Sequence, residues 1–243
     1  MKQVSYSLVI CVFLLAGTNA LGQPNYQQYY LKRKNFEVDL PDLRREFGYR
    51  KIIPPELELE CLTALSFYPE LRNVSIEFRF GKLNFTMISK PKFRSILHRG
   101  EEREYVIVVQ RPGLSKNNLE WTELSFNALV GWIGHELGHI MHYSHKSNGG
   151  VLFTGIKYAF PGYRRKMERF TDQIAIQHDL GYALYEGVDY TLNYSCASAH
   201  YRKSQNKFYL GLDEIIERVH SKDLWSAMFR RTRMRYEPNT LQH

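Results

Sequence analysis

Apolar and polar residues follow three successive patterns along this chain. Residues 23–51 are polar, aromatic and basic with no clean period, which predicts an extended arm lying on the rest of the fold. Pro54-Pro55 then opens ELELECLTALSFYPEL, whose apolar spacing suits a helix beginning at the second proline, where a missing amide costs little. The period next falls to two. Across residues 74–80, Ser75, Glu77 and Arg79 alternate with Ile76, Phe78 and Phe80, as a half-buried strand requires. Residues 83–89 and 104–110 predict two more strands, the latter so continuously apolar that it suits a central position.

After Arg111-Pro112-Gly113 the period becomes helical. Phe126, Leu129, Val130, Ile133, Leu137, Ile140 and Met141 recur on one stripe, and Ser125 stands where an N-cap belongs. Asn148-Gly149-Gly150 and Pro161-Gly162 bracket a predicted loop. One long helix is predicted over residues 164–186, and two shorter ones over 210–220 and 222–233. A helix, then strands, then helices, with no internal repeat, describe a single α+β domain spanning residues 23–243.

The first 22 residues are read separately. Lys2, the apolar run of residues 8–16 and Ala20-Leu21-Gly22 have the layout of a cleaved signal peptide. The expected destination is therefore secreted or periplasmic, with the mature chain starting near Gln23. No later run is long and apolar enough to cross a membrane. Cys61 and Cys196 remain, either bridged across a long loop or left as free thiols. Three Asn-x-Ser/Thr triplets begin at Asn73, Asn84 and Asn193 and matter only in a glycosylating host. A net charge of +8 would suit an acidic partner. The basic run at residues 230–235 reads as a solvated helix end, and no nucleic-acid motif accompanies it.

The chemistry concentrates in GWIGHELGHIMHYSH, residues 131–145. His135 and His139 are four apart on the predicted helix, so both imidazoles leave one face, about 6 Å apart along the axis. Two such side chains can converge on one zinc ion. Glu136, rotated by about 100° from His135, can reach a water at that metal without ligating it. A catalytic zinc normally has a third protein ligand, and the sequence offers two. His145 lies six residues beyond His139, the spacing of the metzincin pattern HExxHxxGxxH, but His142 stands where that pattern has its turn-forming glycine. Glu168 lies on the next long helix, with Asp172 four residues on and on the same face; Asp172 can accept the outer N–H of a ligating histidine.

HExxH on one helix followed by ExxxD on the next resembles the gluzincin clan of zinc metallopeptidases, over roughly residues 126–186. The resemblance implies a zincin-like fold, with a small mixed or antiparallel sheet, an active-site helix and a mainly helical C-terminal half. It implies His135, His139 and Glu168 as zinc ligands, Asp172 behind them, Glu136 as general base, and a peptide or protein as substrate. Such enzymes usually add a His or Tyr that stabilises the oxyanion; His178, Tyr182, Tyr185 and His200 are the candidates here. His142 and His145 are expected at the helix end, where positive charge suits the dipole. The alternative reading is a zinc protein that keeps the fold as a binding module without turnover.

Overall fold

The computed structural model describes residues 30–98, 102–114 and 119–223. The predicted leader and the basic run at residues 230–235 lie outside them.

Where the sequence predicts an extended arm, the chain forms helix α1, Arg33–Phe47. This corrects the first expectation, and the reason is chemical. Only Phe47 of the helix is buried, and Pro41 interrupts its sequence, so no apolar stripe announces it. Charge pairs hold it instead. Arg33 meets Glu37 at 2.9 Å along the helix, while Arg33–Glu60 and Arg44–Glu58, each 2.6 Å, tie it to the next helix.

After β1, Lys51–Ile52, a single turn from Pro55 to Leu57 leads into α2, Glu58–Ser66, as the prolines predict. Every residue of α2 from Leu59 to Leu65 is buried. The sheet adds β2, Ser75–Gly81, β3, Met87–Pro91, and β4, Glu104–Gln110, in the spatial order β1-β2-β4-β3. Strands β1, β2 and β4 run parallel, with Phe78 opposite Ile107, and β3 runs antiparallel to β4 along one edge, with Ser89 opposite Ile107. Residues 105–110 of β4 are all buried, which fits its central position. Strand β3 starts later than its sequence suggests, because residues 84–86 bend and the Leu83 amide donates to the Gln110 side chain.

The C-terminal half is helical. Helix α3, Phe126–Ser144, is capped by Ser125, whose Oγ accepts from the Ala128 amide at 3.1 Å. Helix α4, Asn148–Lys157, occupies the segment predicted as a loop, its N-terminus capped by Ser147. The predicted long helix is two helices, α5, Pro161–Gln177, and α6, Gly181–Asp189. Between them Asp179 adopts a left-handed backbone, φ 63°, and the Leu180 amide turns back to the Ala175 carbonyl at 3.0 Å. A short π-helical stretch, Tyr190–Tyr194, precedes α7, Ala199–Phe208, which the sequence pattern did not reveal. The last described helix, α8, spans residues 212–223 and runs unbroken through Ser221. The architecture is thus mixed α+β, with a small four-stranded mixed sheet and a mainly helical second half.

Helix α3 is the central rod, with α2, α5, α6 and β3 packed around it. A side chain at Gly131 would drive its Cβ to 2.4 Å from the Ala183 carbonyl carbon, so glycine there sets the α3–α6 approach. Tyr68 fixes α2 to the same rod by donating to the Gly134 carbonyl at 2.6 Å. At the C-terminal end of α3 the buried Arg103 donates to the Tyr143 carbonyl at 2.8 Å and to Asn148 Oδ1 at 2.8 Å. That guanidinium puts a buried positive charge at the helix end, where His142 and His145 also lie as expected. Burial, aided by nearby positive charge, lowers the His142 pKa to about 4, and its ring packs edge-on against Phe170. His145 donates from Nδ1 to the Met141 carbonyl at 2.7 Å. Cys61 is buried, Cys196 is exposed, and both are free thiols. No helix among the described residues is long and apolar enough to cross a membrane.

Candidate metal centre

Helices α3 and α5 pack against each other and bring together residues 33 apart in sequence. Their contact is close because Gly138 presents no side chain: a Cβ there would lie 2.9 Å from Thr171 Cγ2 and 3.3 Å from the Thr171 carbonyl. Across this contact His135, His139 and Glu168 are all buried, with one ligand atom from each within 4.8 Å of the others. His135 Nε2 lies 3.3 Å and His139 Nε2 lies 3.2 Å from the same oxygen, Glu168 Oε2. His145 is exposed at the end of α3 and takes no part.

The surrounding hydrogen bonds settle where the imidazole protons sit. The outer nitrogen of His135, Nδ1, lies 2.8 Å from Asp172 Oδ1, and an ionised carboxylate only accepts, so Nδ1 carries the proton. Asp172 is itself held by the Leu210 amide, which donates to Oδ2 at 2.8 Å. His139 Nδ1 lies 3.1 Å from Thr171 Oγ1, whose single proton is donated to the Met167 carbonyl at 2.9 Å. Thr171 therefore accepts, and His139 Nδ1 is protonated as well. In their neutral forms both imidazoles then turn an Nε2 lone pair toward the same carboxylate oxygen, so that three acceptors converge. A single proton can bridge only one such pair, whereas a divalent cation satisfies all three. Ligand bonds of about 2.0–2.1 Å in a tetrahedral arrangement separate the donor atoms by about 3.3–3.4 Å, close to the two histidine–carboxylate spacings of 3.3 and 3.2 Å. The donor set fits such an ion.

A proton competes with a metal ion for the same point. Burial works against ionising Glu168, yet His135 and His139 outweigh it and hold the carboxyl well below the usual carboxylate range. Burial likewise opposes a cation on His135, but Asp172 and Glu168 raise its proton affinity well above that of free histidine. The second oxygen of Glu168 faces Arg164, Nε to Oε1 3.6 Å, and that guanidinium lies 4.3 Å over the Phe208 ring.

These residues form the wall of a cleft of about 990 Å³, bordered on one side by residues 82–90, which include strand β3. Glu136 lines it and makes no hydrogen bond with any described residue, so its carboxylate is free to meet a ligand. Tyr143, Tyr158, Tyr201 and Tyr209 also line it, and burial raises the pKa of each phenol, that of Tyr201 to about 12. All four stay protonated at neutral pH. Their hydroxyls differ in availability. Thr86 Oγ1 donates to the Leu119 carbonyl, so Tyr201 must direct its own proton to Thr86, 2.9 Å away. The Tyr209 hydroxyl has no partner among the described residues, and its ring lies 5.5 Å from that of His135.

Among the residues expected to help an oxyanion, only His200 lines the cleft. His178 stacks on Tyr68 with ring centroids 4.2 Å apart and donates to the Ile174 carbonyl. Tyr182 and Tyr185 pack against the hydrophobic core. Comparison with models of known protein families, with curated proteins and with solved structures found no match.

Proposed function

We propose that this protein is a zinc-dependent metallopeptidase of the gluzincin type, with His135, His139 and Glu168 as the metal ligands. The observation that carries the reading is the convergence of three buried acceptor atoms beside a free glutamate in an open cleft. Two neutral imidazoles and one carboxylate are a donor set that suits zinc, and the helix-borne HExxH places Glu136 next to them. The antiparallel edge strand β3 along the cleft supplies unpaired backbone groups against which an extended peptide can lie. These features are those of a zincin-like fold.

When bound, zinc acidifies water and polarises a carbonyl oxygen. The chain's own residues do the rest. Glu136 accepts a proton from the attacking water at its carboxylate and passes it to the departing amine nitrogen. Asp172 and Thr171 hold both imidazoles with Nε2 turned inward. Tyr209 lines the cleft with a hydroxyl that has no partner among the described residues, which can donate to the oxygen that gains charge as the amide is attacked.

The test is hydrolysis of a mixed peptide library by the wild type and Glu136→Gln, with metal content measured on both. The glutamine variant keeps its metal and loses roughly 10²–10⁴-fold in kcat. Equal cleavage by the two proteins would refute the assignment of Glu136.

A further inference from the structure

Helix α4 is built inside out. It turns Val151 and Thr154 inward and leaves Leu152, Phe153 and Ile156 exposed, Ile156 at 66%. Phe160, just beyond it, is 62% exposed. Across a shallow groove of about 660 Å³, lined by Phe93, Ile96, Val151, Leu152 and Ile156, the 93–98 turn adds Phe93 at 88% and Leu97 at 78% exposure. So many exposed large apolar side chains in α4, just beyond it and in the 93–98 turn mark a contact surface. The face is fixed. Asn148 donates to the Leu97 carbonyl at 2.7 Å, and the buried Arg103 joins His98, Lys146 and Asn148.

The charge around this face selects the partner. Residues 90–98 carry three Lys or Arg and residues 146–167 carry five, with no Asp or Glu in either stretch. Among the described residues Lys90, Arg94, Arg165 and Lys166 pair with no carboxylate. Lys157 lies 4.2 Å over the Phe153 ring, its ammonium at the margin of the apolar face. A second copy of this chain would bring the same cations to the contact and repel. Exposed aromatic and aliphatic side chains beside unpaired Lys90 and the Lys157 ammonium, in segments free of acidic residues, match an anionic bilayer, whose acyl region takes the former and whose phosphates take the latter.

We propose that the face formed by α4, Phe160 and the 93–98 turn docks on an anionic lipid surface. Lys90, Tyr143 and Gly155 line both this groove and the metal cleft. Docking therefore sets the cleft mouth beside the membrane and biases the protein towards ligands presented there. The proposal concerns a surface and stands apart from the reaction assigned to the cleft.

Cosedimentation of the full chain with phosphatidylcholine vesicles, with and without phosphatidylglycerol, tests it. The wild type partitions at least about tenfold more strongly onto the anionic vesicles, and added salt weakens the preference. Phe93→Ser, Ile156→Ser and Phe160→Ser combined weaken binding by on the order of a hundredfold while metal content is retained. Lys90→Glu with Arg94→Glu removes the preference for phosphatidylglycerol. Phe153→Trp supplies a second, local readout: brominated lipid quenches the added fluorescence. Serine variants that bind as well as the wild type, or an added tryptophan that brominated lipid leaves unquenched, would overturn the proposal. So would a wild-type dimer that the same serine variants dissociate, since the face would then belong to a second copy.

Discussion

Two residues outside the proposed ligand set orient its imidazoles. Asp172 and Thr171 each hold one imidazole by its outer N–H, and they differ in kind: a carboxylate held by a backbone amide behind His135, a hydroxyl behind His139. Asp172→Asn keeps the shape but can present an amide N–H to Nδ1, which favours the wrong tautomer. Metal affinity should fall roughly 10–100-fold, read by competition against a chelator. An unchanged affinity would show that Asp172 does not orient His135. The cleft tyrosines separate by the same proton bookkeeping. Tyr209→Phe should lower kcat by on the order of 10²-fold with KM little changed, whereas Tyr201→Phe should leave kcat near the wild-type value because its proton is already given to Thr86. The reverse ranking in steady-state kinetics would move the oxyanion role to Tyr201. Sequence reasoning missed Tyr209 for a plain reason. It is one of 17 tyrosines, it lies between α7 and α8, and only the fold carries it to His135.

At the scale of elements, legibility followed the match between burial and period. Helix α3 is buried along most of its length, its apolar stripe is long and its cap is a serine, so its start at Phe126 could be read directly. Strand β4 was equally plain, being apolar at nearly every position. Helix α4 was hidden because its apolar residues face outward and its first turn contains Gly149 and Gly150. The break between α5 and α6 was hidden because the apolar period continues across it, while Asp179 turns the backbone and pairs with Lys222 on α8. That break left Glu168 and Asp172 on one face of α5, so the juxtaposition of this helix with His135 and His139 was legible even where its length was not.

The docking of α8 on α5 carries a pH signature. Arg169 on α5 and the Gly211 amide both bond to Glu214, holding its pKa at about 2, below the usual 4.5. A depressed carboxylate stabilises the fold fully above its unfolded pKa, and that contribution disappears as pH falls from about 4.5 through about 2. Glu214→Gln should therefore lower Tm at neutral pH and make no difference at the acidic end of that window, as thermal melts across pH would record. The effect is modest, because the carboxylate is 43% exposed. A Tm difference that persists undiminished in acid would contradict this account.

For the molecule as a whole, one hydrophobic cluster joins α2, the sheet, α3, α5 and α6, so His135, His139 and Glu168 sit on helices whose positions the core fixes. A rigid frame explains how three acceptors can be held facing one another before any ion arrives. It also links the centre to stability, since an ion that binds only the folded chain raises Tm in proportion to RT ln(1 + [L]/Kd). The charge distribution acts at the same scale, placing unpaired cations beside the α4 face next to the mouth of the cleft.

Elemental analysis of the purified chain, alongside His135→Ala and Glu168→Gln, probes the central claim most directly. The wild type should hold about one zinc per chain, and each variant should lose most of it while keeping its helical content, because each removes one of three converging donors. Wild-type protein that is folded, prepared without chelator and free of stoichiometric metal, or variants that retain a full equivalent, would contradict it.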